Sequence, residues 1–153
     1  MPAEMSADRL AELVTETLEE AAFVFCEPAD PPPPFEGDVL EARLQFSGPS
    51  RGELALRASS EFAVGLAANL LGTERGDPEI GARSRDALGE IVNMLAGAVV
   101  LELFGPAAQT SIGVPAVKGG ATEPPPPECL AHLSTEEGDR LDVWLRPALG
   151  RSP

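Results

Sequence analysis

Four residues between positions 86 and 97 share one narrow stripe of a predicted helix: Asp86, Glu90, Asn93 and Gly97. At about 100° per residue, with Asp86 at zero, the other three lie near roughly 40°, roughly 340° and roughly 20°. The carboxamide of Asn93 cannot take up a proton at neutral pH, but it can orient a water molecule by hydrogen bonding. The stripe therefore combines two acids and one amide on a single side of the helix.

The opposite side of the same helix is apolar. Between roughly 140° and roughly 240° on the same wheel lie Leu88, Ile91, Val92, Leu95 and Val99. This side should face the core, so the stripe should face outward. Polar residues on a solvated face usually need no further explanation. Here, however, Asn is a poor helix former, and the interior glycines Gly89 and Gly97 cost about 1 kcal/mol each. With the small Ala96, they predict close packing against this face, either by a partner or by another element of the fold.

The elements that position this helix follow from periodicity, caps and turn residues. We predict helices over 6–25, over about 59–71 and over 78–104, the last with Asp77 as N-cap, Pro78 as first residue and Gly105 as the stop. Alternating apolar residues predict strands over 39–46, 53–58, 129–133 and 141–145, with a further strand over 109–117. The proline runs at 28–34 and 124–127 predict loops. The fold class is α+β, with helices packed on a mainly antiparallel sheet in the order α-β-β-α-α-β-β-β.

Composition limits the classes of protein. A length of 153 residues favours a single domain over 1–153, and a net charge of -14 argues against nucleic acid as a partner. No basic, apolar leader or stretch of about 18 apolar residues is evident, which favours the cytoplasm over a membrane. Two distant cysteines, Cys26 and Cys129, and the single histidine, His132, are too few for a zinc site. We expect the cysteines to be buried and His132 to lie at the surface or on an edge strand.

The pattern Asp86-x-x-x-Glu90-x-x-Asn93, continued as Met-Leu-Ala-Gly97 and followed by Pro115 twenty-two positions after Asn93, resembles the signature of the CheC/CheX family. The run from 114 to 119, Val-Pro-Ala-Val-Lys-Gly, is similar to the strand that follows this helix in the family. The first helix and the segment 62–72 contain no second Glu-x-x-Asn. A single copy of the motif indicates a CheX-like rather than a CheC-like member.

The resemblance implies an enzyme, a phosphatase that hydrolyses the aspartyl phosphate of a CheY-like response regulator in chemotaxis or another two-component circuit. In that reading Glu90 pairs with the active-site lysine of the regulator and Asn93 reaches into its phosphorylation site. Asp86 and Gly97 would contact the partner, although an acid early in a helix is often only a solvated residue. Pro115 would be structural.

The same resemblance implies that no cofactor is intrinsic to this chain, that no residue of it binds a metal, and that magnesium comes with the regulator. It also implies a homodimer. The alternative is a non-catalytic adaptor that binds a regulator without turnover. For so acidic a chain, binding requires either a basic rim on the partner or contact dominated by shape and apolar surface. The sequence leaves both possibilities open.

Overall fold

The computed structural model describes residues 5–72, 74, 76–120, 123–125 and 129–147. The elements within those ranges are, in chain order, α1 (Ala7–Ala22), β1 (Cys26–Pro28), β2 (Val39–Ser47), β3 (Arg51–Ser59), α2 (Ser60–Leu71), α3 (Ile80–Phe104), β4 (Ser111–Ile112), β5 (Ala116–Gly119), β6 (Leu130–Thr135) and β7 (Arg140–Pro147). The strands pair in the order β1-β6-β7-β3-β2-β4, β5 also pairs with β2, and each of these pairs is antiparallel. The predicted α+β class is confirmed.

One face of the sheet carries the core. The long hairpin of β2 and β3 places Leu44 opposite Leu54 and Ala42 opposite Leu56, and β7 continues the same layer with Val143 opposite Leu56. These residues are buried together with the apolar sides of the helices. α1 packs on β1, β6 and β7, whereas α3 packs on β2, β3 and β5. The sheet therefore supports α3 along the side opposite to its polar stripe.

The N-terminal end of α1 agrees with the sequence prediction, whereas its C-terminal end does not. Ser6 caps the helix, since its hydroxyl accepts a hydrogen bond from the Arg9 N–H at 3.1 Å. The predicted end at residue 25 is wrong, because Phe23 adopts a left-handed conformation with φ of 56° and closes the helix after Ala22. The chain then enters β1, an unpredicted edge strand on which Pro28 lies opposite Leu133. An edge strand tolerates proline because its outer N–H groups need no partner.

The strand predicted over 109–117 is two short strands, β4 and β5, separated by residues 113–115. Both pair with β2, so the interruption lies within one edge of the sheet. Gly113 donates its N–H to the Gln45 carbonyl at 2.7 Å, and Pro115 has no N–H to donate. The element order is therefore α-β-β-β-α-α-β-β-β-β rather than the predicted one, by the addition of β1 and this division.

The outer face of the sheet carries several buried polar side chains. The Arg57 guanidinium donates to Glu41 Oε1 at 2.6 Å, both side chains are buried, and Arg57 lies 5.2 Å from the centre of the Trp144 ring. His132 is half-buried on β6, an inner strand, where its Nδ1 lies 2.7 Å from Asp142 Oδ1. The expected position on an edge strand is therefore wrong, whereas the side chain is still partly exposed, at 30% of its area.

The first proline run lies against β7. Arg140 donates to the Pro33 carbonyl at 3.4 Å and stacks over the Phe35 ring at 4.5 Å. Pro28, the first residue of the loop predicted over 28–34, is the last residue of β1, and residues 29–38 contain no helix or strand, so the loop is confirmed from residue 29 onward. Of the second run, 124–127, only the first two prolines lie within the described residues, and Pro126 and Pro127 lie outside them.

Candidate functional site

The predicted helix with the polar stripe is α3, Ile80–Phe104. Its predicted start at Pro78 is wrong. Asp77 closes a turn instead, because its side chain accepts from the Glu79 N–H at 2.9 Å and its carbonyl accepts from the Ile80 N–H at 3.0 Å. The predicted end is confirmed, with the Gly105 N–H bonded to the Leu101 carbonyl at 2.9 Å. The helix is therefore a continuous run of 25 residues on which relative positions follow the helical period.

The two sides of α3 differ as the sequence predicts. The five apolar residues opposite the stripe, Leu88, Ile91, Val92, Leu95 and Val99, are all buried. Asp86, Glu90 and Asn93 are exposed, and Gly97 is partly exposed. The structure thus brings all four predicted site residues together on one accessible face.

The polar side chains of the stripe are not used within the fold. None of Asp86, Glu90 and Asn93 hydrogen-bonds or pairs with another residue in the part of the chain that the structure describes. Glu102, an acid of the same helix outside the stripe, behaves differently. Arg9 of α1 donates to its two carboxylate oxygens at 3.1 and 3.0 Å, and this hydrogen bonding lowers the pKa of Glu102. The two carboxylates and the carboxamide of the stripe are therefore available to bind a partner.

The glycines at positions 89 and 97 of α3 are explained by different surroundings. A Cβ at Gly89 would lie 3.6 Å from Pro115 Cβ and 3.7 Å from Val117 Cγ2, so this glycine faces the β4–β5 edge of the sheet. A Cβ at Gly97 would meet nothing within 4 Å. Ala96 is fully buried. Close packing within the fold therefore accounts for Gly89 and Ala96, whereas Gly97 leaves open space on the outer face.

Two exposed apolar side chains, one on α3 and one on the connection that follows it, were not singled out from the sequence. Met94 is 41% exposed and Val114, in the β4–β5 connection, is 89% exposed. The helical wheel contained the signal for Met94, which follows Asn93 directly. No local pattern marks Val114, because its exposure depends on the contact between Pro115 and α3.

The described residues hold no cluster of three or more His, Cys, Asp or Glu side chains that could bind a metal ion. Cys26 and Cys129 are free thiols, partly buried rather than fully buried as expected, and burial raises the pKa of both. Among the described residues, the stripe is therefore the candidate functional site on which the sequence and the structure agree.

The apolar side of α3 gives this helix a high mean hydropathy. By length and composition α3 could cross a membrane, with a mean hydropathy of 1.7 over an 18-residue window. The expectation that no stretch approaches a membrane span is therefore wrong. Half of that window is buried inside the domain. The high hydropathy thus belongs to a core helix packed on a sheet.

Comparisons with known proteins agree with this fold. No curated protein matches the chain. Among solved structures, the chemotaxis protein CheX from Desulfovibrio desulfuricans is 20% identical with a TM-score of 0.66, covering 92% of this chain and 98% of that one. CheX from Vibrio vulnificus is 20% identical with a TM-score of 0.65, covering 91% and 95%. A CheX–CheY–BeF3–Mg2+ complex from Borrelia burgdorferi is 17% identical with a TM-score of 0.69, covering 93% and 97%.

At these identities the structural likeness shows the fold. The family follows from the sequence, because the family model for the chemotaxis phosphatase CheX matches residues 41–124, more than half of the 153 residues. The matched range contains all of α3 and the connection that carries Pro115. The predicted resemblance is thus confirmed, and the chain belongs to the CheX family of chemotaxis phosphatases.

Proposed function

We propose that this chain hydrolyses the aspartyl phosphate of a CheY-like response regulator, with Asn93 and Glu90 as the residues that act. The observation that carries the proposal is that both side chains are exposed, one turn apart on α3, and unused within the described fold. Membership of the CheX family supports the reaction class. The Borrelia burgdorferi relative, which was crystallised with CheY, BeF3 and Mg2+, supports the class of partner.

The reaction requires little from the phosphatase beyond positioning. An aspartyl phosphate is an activated acyl phosphate, and a water molecule attacks phosphorus while the bond to the aspartate oxygen breaks. The products are inorganic phosphate and the free carboxylate. Holding the water in line with the leaving carboxylate can lower the barrier by several kcal/mol. The Asn93 carboxamide suits this role, because its oxygen accepts a hydrogen bond from the water and it does not ionise.

Glu90 would set the register of α3 on the regulator. A rise of about 1.5 Å per residue places Glu90 about 4.5 Å along the helix from Asn93 and on the same side. A carboxylate at this distance can pair with the active-site lysine of the regulator while Asn93 enters the phosphorylation site. Asp86, one turn before Glu90, would extend the contact in one direction. Gly97, one turn after Asn93, would allow close approach in the other.

The magnesium ion would be held by the acidic pocket of the regulator and would neutralise charge on the phosphoryl group there. In this proposal α3 contributes no ligand to the metal, and its residues orient water and dock the partner. We place the reaction in the cytoplasm. A homodimer is the predicted assembly, to be measured by sedimentation.

The test follows phosphate release from a phosphorylated CheY-like regulator of the same organism. The wild-type chain should accelerate release, and Asn93→Ala should lose about 100-fold of that acceleration, because a misplaced reactant loses about this much. Glu90→Ala should lose acceleration as well. Glu102→Ala is the matched control, an acid on the same helix outside the stripe, and it should behave as the wild type.

Binding is measured in parallel with the regulator loaded with BeF3− and Mg2+. Asn93→Ala should keep most of the wild-type affinity, since its proposed task is hydrolysis. If regulators bind the wild-type chain but decay at their intrinsic rates, the phosphatase proposal fails. The adaptor alternative then takes its place.

A further inference from the structure

A second apolar side of α3 faces outward. Met94 and Leu101 are large hydrophobic side chains that are 41% and 55% exposed. They lie about 10 Å apart along the helix and on the same side of it, near roughly 80° and roughly 60° on the wheel that has Asp86 at zero. Gly97 and Ala98, both partly exposed, lie between them. These four residues form an apolar strip, and their spacing i, i+3, i+4, i+7 is that of a helix face which packs against another surface.

Neighbouring elements flank the apolar strip on both sides. On one side Gly89, near roughly 300° on the wheel, faces Val117 of β5. On the other side Glu102, near roughly 160°, is paired with Arg9 of α1. Between them a Cβ added at Gly97 would meet nothing within 4 Å. In the part of the chain that the structure describes, this sector of α3 is therefore open to a partner.

The apolar strip continues the polar stripe along the helix. Met94 follows Asn93 directly and lies one turn after Glu90, which is near roughly 40° on the same wheel. From Asn93 to Leu101, at the far end of the strip, is about 12 Å along the helix. A specific protein interface covers about 800 Å² on each partner, which is much more than one helical turn exposes. A regulator seated over Asn93 therefore also covers the strip.

Charge also distinguishes the two halves of α3. The exposed charged residues Arg83, Arg85, Asp86 and Glu90 lie in its first half, whereas residues 91–101 carry no charge. The chain as a whole has a net charge of -14, so this uncharged run is a local exception. An acidic phosphorylation pocket can approach the uncharged half without repulsion between like charges. Contact dominated by apolar surface, which the sequence left open, is therefore the possibility that this face favours.

We propose that the apolar strip docks the regulator, and that this contact stabilises the complex more than the charged residues of α3 do. The occupant is apolar surface that borders the phosphorylation site of a CheY-like regulator. This arrangement also sets the direction of α3, with Leu101 over the apolar surface of the regulator and Asp86 at the opposite end of the contact. The inference rests on the function proposed for α3. It assigns affinity to the strip and hydrolysis to Asn93, so the two roles can be separated.

The experiment measures the Kd of the regulator loaded with BeF3− and Mg2+ for Met94→Gln and Leu101→Gln. Glutamine is about as good a helix former as either residue, so both variants should fold with a wild-type Tm. Each should bind about fivefold more weakly, which is the scale of burying half of one such side chain. The two residues are far enough apart for their effects to add, so the double variant should bind about 25-fold more weakly. In phosphate release the KM should rise by similar factors, with kcat nearly unchanged.

Val114→Ser is the matched control. Val114 is 89% exposed, but it lines a groove with Arg43 and Lys118. On β5, Val117 faces α3 and Ala116, opposite Arg43, faces away from it, so this groove is on the other face of the sheet. The Kd of Val114→Ser should therefore match the wild type. A loss as large as that of Leu101→Gln would show that the effect is not specific to the strip and would overturn the proposal.

Salt provides a second measurement. Raising the ionic strength from about 0.05 to about 0.5 M screens exposed charges and should change the wild-type Kd by less than about threefold. A Kd that rises by about tenfold or more with salt would assign the affinity to opposite charges and overturn the role of the strip.

The outcomes separate the two proposals. If the double variant binds as well as the wild type, the strip is wrong and the phosphatase proposal stands or falls on Asn93→Ala. If the strip variants bind weakly but the wild type does not accelerate release, the strip holds and the phosphatase proposal fails. If the wild type sediments as a dimer and Leu101→Gln as a monomer, a second copy of the chain covers the strip and its docking of the regulator is overturned. If no CheY-like regulator of the organism binds the wild type, both proposals fail.

Discussion

Replacing Gly97 separates the stability of α3 from its use as a docking surface. Gly97 lies in the interior of the helix, and a Cβ there would meet nothing within 4 Å. Glycine in a helix interior is about 1 kcal/mol less favourable than alanine, and leucine is close to alanine. Gly97→Ala and Gly97→Leu should therefore each raise the free energy of unfolding by about 1 kcal/mol. For a domain of this size the Tm should rise by about 2–4 °C.

Activity should change in the opposite direction. Gly97 follows Asn93 by about 6 Å along the helix on the same stripe. A leucine side chain there would project into the space that the regulator must occupy, and a misplacement of about 1 Å at the reacting atoms can cost about 100-fold in rate. Gly97→Leu should lose at least that factor in phosphate release. Gly97→Ala, which adds one methyl group, should lose less.

The measurements are thermal unfolding by circular dichroism and phosphate release from the regulator. Gly81→Leu is the control, because a Cβ at Gly81 also meets nothing within 4 Å and Gly81 lies about 18 Å along the helix from Asn93. A fully active Gly97→Leu would show that no partner covers this face. A Gly97→Leu less stable than the wild type would refute the assignment of open space, and its loss of activity would then reflect unfolding.

Three further variants or reagents test the fold around the site. Asn93→Ala should raise the free energy of unfolding by about 0.5 kcal/mol, because an exposed mid-helix Asn is a poor helix former; urea denaturation that shows a loss instead would reveal a structural role. Glu41→Gln should lower the free energy of unfolding by about 3 kcal/mol, because this substitution leaves the buried Arg57 guanidinium without its carboxylate. A Tm within roughly 1–2 °C of the wild type would contradict this expectation. Since burial raises the pKa of Cys26 and Cys129, alkylation at pH 8 should be slower in the native than in the urea-unfolded chain, and equal rates would refute the burial of both thiols.

Much of the site could be predicted from the sequence because it lies on one long helix. Over 25 residues the helical period is repeated seven times, so the apolar and polar sides of α3 separate clearly. The hairpin of β2 and β3 could be predicted for a similar reason, since apolar residues alternate along the sequence over 39–46 and 53–58. Both features are local, and neither needs knowledge of distant contacts.

The features that were missed depend on contacts between distant parts of the chain. β1 exists because Cys26 lies opposite Thr135, more than one hundred residues away. The division between β4 and β5 reflects the bond from Gly113 to Gln45 and the packing of Pro115 on α3. The exposure of Val114 follows from the same two anchors. No window of sequence contains both partners of these contacts, so local patterns could not predict them.

The proposed site also contains residues that lower local stability. Asn93 and Gly97 weaken the helix that carries them, and Met94, which follows Asn93, exposes an apolar side chain to water. Gly89 shows that such a departure alone proves nothing, because its space is filled by Pro115 within the fold. At the other three positions the described structure provides no such compensation. Departures of this kind are expected where a surface is shaped for a partner, and all three lie on the same side of α3. A partner that covers this face would compensate all three together, which is why one docking event explains them better than three separate causes.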